Sequence, residues 1–184
     1  VGELQSIIPL VEKLEKNKKI KQILITSNTL SSSRIISNFK FKKVAHQFFP
    51  LDVNFFSKKF LDYWHPSMVI FIDSEIWPNM LFNLKNKCVP TILLNGRITK
   101  KTFKRWLIFP DFAHEIFSKF NLCLPSSNES KKYLKELGAK KIRYIGNLKY
   151  SQSEQKVDKI KKNIKKFIKS KKVWCASSTH FDEE

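Results

Sequence analysis

The sequence predicts an α/β fold in which a parallel sheet carries helices on both faces. Short continuous apolar runs such as Met68-Val69-Ile70-Phe71-Ile72 read as strands buried on both sides. Segments of helical periodicity separate these runs, and that alternation requires crossover connections between parallel strands. A third observation is the acidic stretch Asp73-Ser74-Glu75 directly after one run, since ligands of open α/β sheets collect at the carboxyl ends of strands.

Leu4, Ile7, Ile8, Val11 and Leu14 recur at helical spacing and predict an amphipathic helix over 4–16. Residues 22–26 follow as a strand. Ser, Asn and Thr at 27–33 offer helix caps before a short helix through Ile35 and Ile36. A strand over 44–48 ends at Pro50. Asp52 then reads as the cap of a helix whose Phe56, Phe60, Tyr63 and Trp64 share a face. After the strand at 68–72, Pro78 suits the first turn of a helix over 78–87. The alternation continues with a strand at 90–94, helices at 101–107 and 112–118, and a strand at 120–124. A helix over 128–137 stops at Gly138, which tolerates a left-handed cap, and a last strand is expected at 141–145.

The rhythm changes after Tyr150. Residues 1–150 read as one domain, 151–172 as a lysine-dense linker helix, and 173–184 as the beginning of a truncated second domain. The chain opens at Val1 and ends at Glu184 in mid-pattern, so it reads as part of a longer protein. No window approaches the ~20 apolar residues of a membrane span. The net charge of +19 has two readings. Lysine scattered beside abundant Ile, Asn and Phe is how compositional drift looks, whereas attraction to an anionic surface gives the charge a partner. Zinc-finger spacing, a recognition-helix signature and RNP-type aromatics are missing, which disfavours nucleic acid. Cys88, Cys123 and Cys175 are isolated in apolar runs and read as buried free thiols of a reducing compartment rather than metal ligands. Four glycines exclude a Walker-type loop, and Ser27-Asn28-Thr29 lacks a dinucleotide fingerprint, so no cofactor and no metal are expected.

Six separated motifs occur in order: Val1-Gly2-Glu3, His46-Gln47-Phe48-Phe49-Pro50-Leu51-Asp52, Ser74-Glu75-Ile76-Trp77-Pro78-Asn79, Asn95-Gly96-Arg97, Gly146-Asn147-Leu148-Lys149 and Ser178-Thr179-His180. On these motifs the chain resembles the N-terminal half of a 3-deoxy-D-manno-octulosonic acid (Kdo) transferase. That resemblance implies a two-domain GT-B glycosyltransferase whose first, Rossmann-like domain receives the acceptor, lipid IVA, while the second holds most of the CMP-Kdo donor. It further implies lipopolysaccharide biosynthesis at the cytoplasmic face of the bacterial inner membrane, with an anionic membrane surface as a partner, and a piece of this length inactive alone.

By the same resemblance Glu3 is the catalytic base, Glu75 a second acid that stabilises the transition state, and Lys149 a cationic stabiliser of the departing phosphate or the Kdo carboxylate. The competing reading of both acids is structural, because a carboxylate in a first helical turn is favoured by the macrodipole. Arg97 follows a strand, where its guanidinium fork suits either a phosphate or carboxylate or a structural salt bridge. The family usually has Asn-Ala-Arg there, and Gly96 departs from it. His46, Asp52, Ser74 and Asn147 are further substrate-binding candidates by motif position, and His180 is a donor-side one. The rival functions are a non-catalytic basic module for anionic lipid or nucleic acid, and another GT-B enzyme using a UDP-sugar.

Overall fold

The computed structural model describes residues 2–148 and Lys169. The chain divides into two compact units, Val1–Gln152 and Ser153–Glu184, and the described helices and strands belong to the first. They run α1 (Gly2–Lys16), β1 (Ile23–Ser27), α2 (Leu30–Ser37), β2 (Val44–Phe48), α3 (Asn54–Trp64), β3 (Val69–Ile72), α4 (Pro78–Asn86), β4 (Thr91–Gly96), α5 (Lys100–Trp106), α6 (Pro110–Phe117), β5 (Leu122–Pro125) and α7 (Asn128–Glu136). The expected linker helix and the start of a second domain, with Lys149, Cys175 and His180, lie outside the described residues.

Among the described residues all strand pairing is parallel, and the α/β class stands. The strands form two ladders rather than one: β1 pairs with β2, and β4 sits between β3 and β5. Side chains, not a backbone ladder, join the two. β4 is the most enclosed strand, with Thr91, Leu93, Leu94, Asn95 and Gly96 all buried, as its apolar run requires. The main core packs Phe71, Leu93 and Cys123 of this sheet against Leu61, Met80, Leu81, Leu84, Ala113, Ile116, Phe117, Leu134 and Leu137 of the helices. A smaller core joins Leu4 and Val11 of α1 to Ile25 of β1 and Ile36 of α2. Thr29, Thr99 and Ser127 cap α2, α5 and α7 through their hydroxyls.

Four expectations change. Val53, not Asp52, is the N-cap residue of α3, and no side-chain bond caps that helix. The buried face of α3 runs through Ser57 and Leu61, one position away from the aromatic stripe, so Phe56 and Tyr63 are exposed. Leu61 is the side chain that fits the main core. The strand expected over 141–145 is reduced to one bridge, Ile142 beside Cys123. Beyond it residues 143–145 are exposed and the chain turns at Gly146, whose φ of 96° is left-handed.

The fourth change is Cys88, which is exposed, while Cys123 is buried and its thiol is pushed up to about 12 by desolvation. Cys88 occupies the turn after α4. Its amide donates to the Lys85 carbonyl, and the Val89 amide donates to the Leu84 carbonyl, a Schellman motif with Cys88 at the left-handed position, φ 55°. α7 ends in the same motif with Gly138 in that place, φ 97°. A Cβ on Gly138 would come within 2.9 Å of the His114 backbone.

The two endings predict opposite outcomes. Cys88→Gly relieves a left-handed side chain and should stabilise the fold by about 0.5–1 kcal/mol after the cost of glycine flexibility. Gly138→Ala should destabilise it by more than about 1 kcal/mol. Urea unfolding midpoints of the two variants check both signs.

Candidate active site

The polar residues of interest gather at the carboxyl edge of the strands. α1 arrives there for a topological reason. Glu15, in its last turn, accepts hydrogen bonds from the Lys42 and Lys43 amides, just ahead of β2. Helix α1 therefore runs antiparallel to the ladder it covers, and its 15 residues span about 22 Å. Its first turn, with Glu3, lies toward the carboxyl ends of β1 and β2. The Glu3 side chain is exposed, and its carboxylate makes no hydrogen bond or ion pair among the described residues.

Glu75 is held differently. It is half-buried in the loop between β3 and α4, and its Oε2 accepts from the Trp77 indole Nε1 at 2.7 Å and from Asn28 Nδ2 at 3.3 Å. Asn28 belongs to the loop after β1, so this carboxylate links the two ladders. Residues on either side of that loop engage His46: Ser27 Oγ, at the end of β1, lies 2.9 Å from Nε2, and Ser33 Oγ, on α2, lies 3.4 Å from Nδ1. His46 also lines a cavity of about 270 Å³ with Ser33, Ser37, Phe39 and Phe41.

Asp52 secures the Glu75 loop from the other side. Its Oδ2 accepts from the Asn79 amide at 3.1 Å and its Oδ1 from the Met80 amide at 2.8 Å, while Asn79 Nδ2 donates to the Asp52 carbonyl at 2.6 Å. Asp52 thus caps α4, whose own N-cap residue, Trp77, supplies no side-chain bond. Phe49 packs against the Trp77 ring in a tilted pair, 5.1 Å between centroids. The segments 46–52 and 73–79 therefore clamp each other.

β3 and β4 end alike. Asp73 and Asn95 are buried and adopt left-handed backbones, φ 59° and 56°. Asp and Asn tolerate this region better than other side chains, and such conformations concentrate at functional sites. The Asp73 amide donates to the Leu94 carbonyl and the Arg97 amide to the Asp73 carbonyl, so the ends stay paired beyond the strands. Ser74 Oγ donates to the Arg97 carbonyl at 2.9 Å, and the Arg97 side chain is exposed. Asn95 Oδ1 accepts from the Leu148 amide at 3.0 Å, which ties the Gly146-Asn147-Leu148 segment to the end of β4.

Of the sequence candidates, the fold joins Ser74 to Arg97 directly and connects Glu75 with His46 through the Ser27-Asn28 loop. Asn147 lies beside Leu148, the residue tied to Asn95. Glu3 lies toward the carboxyl ends of β1 and β2, whereas Glu75 follows β3, and the two do not bond; Asp52 has both carboxylate oxygens engaged by α4. Sequence reading assigned no site role to Trp77 or Asn95, and it took Asn28 for a capping or loop residue rather than a partner of Glu75. Trp77 stands two residues from Glu75, and Asn95-Gly96 carries a turn signal; those were the available signs. Among the described residues, no group of three or more His, Cys, Asp or Glu could hold a metal ion. No described helix is long and apolar enough to cross a membrane.

Parallel strands covered by helices, with anchored acids and amides along their carboxyl edge, define an α/β protein of the ligand-binding kind. The family model for 3-deoxy-D-manno-octulosonic-acid transferase (kdotransferase) matches residues 1–152, and the chain belongs to this family. An Arabidopsis thaliana protein named "Probable 3-deoxy-D-manno-octulosonic acid transferase, mitochondrial" is 34% identical, covering 100% of this chain and 43% of its own length. A 3-deoxy-D-manno-octulosonic acid transferase of Rickettsia prowazekii is 33% identical, over 100% of this chain and 40% of that protein. One from Haemophilus influenzae is 26% identical, over 100% and 44%. The chain spans less than half the length of these relatives.

The clamp gives a direct prediction. Asp52→Ala removes the cap of α4 and should cost about 0.5–2 kcal/mol, read from urea unfolding. Asp52→Asn keeps one acceptor for an amide and should lose less.

Proposed function

We propose that this chain is the acceptor-side half of a GT-B Kdo transferase, moving Kdo from CMP-Kdo to lipid IVA in lipopolysaccharide biosynthesis. The observation that carries the reading is the anchored Glu75 carboxylate after β3, with the exposed Glu3 toward the carboxyl ends of β1 and β2, in a chain of the Kdo transferase family. Glu3 takes the proton of the acceptor hydroxyl. The freed oxygen bonds to the anomeric carbon of Kdo as the bond to the CMP phosphate breaks, and CMP leaves with the electron pair. Inversion follows from attack opposite the leaving group.

The two acids suit different tasks. A base has to meet a substrate proton, and Glu3 is exposed with no partner holding its carboxylate among the described residues. A charge that stabilises the oxocarbenium-like centre has to stay in place, and Glu75 is pinned by an indole and an amide. Lys149, next in sequence to the tethered Leu148, balances the departing phosphate, and Arg97 contributes a second cation at the same edge. The work takes place at the cytoplasmic face of the inner membrane, where the acylated, phosphorylated acceptor resides.

In the full-length protein, Glu3→Gln should lower kcat by about 10²–10⁴-fold, the usual contribution of a positioned base, with KM little changed. Trp77→Phe keeps the ring and deletes the donor to Glu75, so kcat should fall about tenfold or more. Both are read from radiolabelled Kdo transfer to lipid IVA. A Glu3→Gln variant with undiminished turnover refutes the base assignment, and turnover with UDP-sugars but not CMP-Kdo refutes the donor assignment.

A further inference from the structure

β4 does not end as a regular strand. Leu94 faces Leu124 of β5 and Gly96 faces Pro125, so Asn95 is an extra residue on the β4 side, a bulge in a parallel pair. Its left-handed backbone and its burial, at 5% exposure, belong to this bulge. The neighbouring strands are stitched on either side of it. The Asp73 amide donates to the Leu94 carbonyl, the Ser126 amide to the Gly96 carbonyl, and the Arg97 amide to the Asp73 carbonyl. A bulge re-aims a side chain, and a strained backbone held this firmly gathers where that side chain has a task.

The re-aimed carboxamide meets a segment far along the chain. The Arg143 amide still donates to the Cys123 carbonyl, after which Tyr144 and Ile145 are exposed and the chain turns at Gly146. The turn is open: a Cβ on Gly146 would meet nothing within 4 Å, so close packing does not hold the chain there. The segment is caught again where the Leu148 amide donates to Asn95 Oδ1 at 3.0 Å. Lys149 follows directly, so fixing that amide restricts where the chain can present the lysine.

We infer that Asn95 is a positioning residue for the transfer: its Oδ1, aimed by the bulge, holds the Leu148 amide and thereby sets the origin of the Lys149 cation at the end of β4. The role rests on the task proposed above for Lys149. A lysine is a point charge on a flexible stem, and a displacement of about 1 Å is enough to cost about 10²-fold in rate. Asparagine suits the place on three counts. It tolerates positive φ, it offers an amide oxygen, and it is neutral beside the buried Asp73. An aspartate there would set a second buried carboxylate against the first.

The test is Kdo transfer by the full-length protein carrying Asn95→Gly, which keeps the left-handed backbone and deletes the acceptor. Its kcat should fall by about 10–10²-fold, with KM for the acceptor little changed. Its urea midpoint should stay close to the parent's, because relief of the left-handed side chain offsets the lost bond. Lys149→Ala should lower kcat by about 10²-fold or more. Adding Asn95→Gly to Lys149→Ala should then lower it by less than about twofold further, since one residue acts through the other.

Undiminished kcat in Asn95→Gly overturns the inference. A loss that multiplies with that of Lys149→Ala overturns it too, as does a loss that accompanies unfolding, because either makes Asn95 a brace of the fold alone. If Lys149→Ala turns over normally, the task of the cation and the role of Asn95 fall together. If Lys149→Ala is impaired and Asn95→Gly is not, only the role of Asn95 falls.

Discussion

One carboxylate sets the geometry at the strand edge. Asp52, between β2 and α3, holds the first two residues of α4 beyond its opening proline, so the helix after β3 is positioned by a residue from the other ladder. No backbone ladder joins β1–β2 to β3–β4–β5. Their relation therefore rests on side chains: this cap, the tilted Phe49–Trp77 ring contact and the Asn28–Glu75 bond. With both ends of the 73–79 loop fixed, by the left-handed Asp73 on one side and the capped α4 on the other, the Trp77 indole is delivered to the Glu75 carboxylate. The orientation of that acid follows from contacts that are individually modest, each about 0.5–3 kcal/mol in net terms.

Much of this architecture was legible in the residue pattern. Apolar runs at 69–72 and 91–94 identify strands because a strand enclosed on both faces admits few polar side chains. Pro78, Thr29, Ser127 and Gly138 mark helix ends for local reasons that need no knowledge of the rest of the fold. What the sequence concealed depends on distance along the chain. Asp52 reads as a cap for the helix that follows it, and only the tertiary arrangement lends it to a helix some 25 residues on. The aromatic stripe of α3 is likewise real as a pattern, yet the core selects Leu61, one position away. Cys88 sits in an apolar run, but the strand begins three residues later and the turn exposes it.

The candidate site was legible in part. Glu75 announces itself by following a strand, and the ordered motifs place it in the Kdo transferase family, which the family match bears out. Its indole partner two residues on was visible only as a motif letter. Asn95 and Asp73 gave no sign beyond being residue types that accept positive φ. Glu3 was indistinguishable from a helix-start acid by pattern alone. Its place on the carboxyl edge becomes clear once Glu15 is seen bonding the chain ahead of β2.

The capping of α4 has an electrostatic corollary. In many α/β proteins the amides that open the helix after a strand form a berth for a ligand's phosphate. Here an internal anion already fills that berth, and the positive end of the helix is largely spent on it. A nucleotide or phosphorylated lipid arriving at this rim must have its charge met by long, mobile cationic side chains rather than by fixed backbone dipoles, so ionic strength, more than helix geometry, should govern its hold.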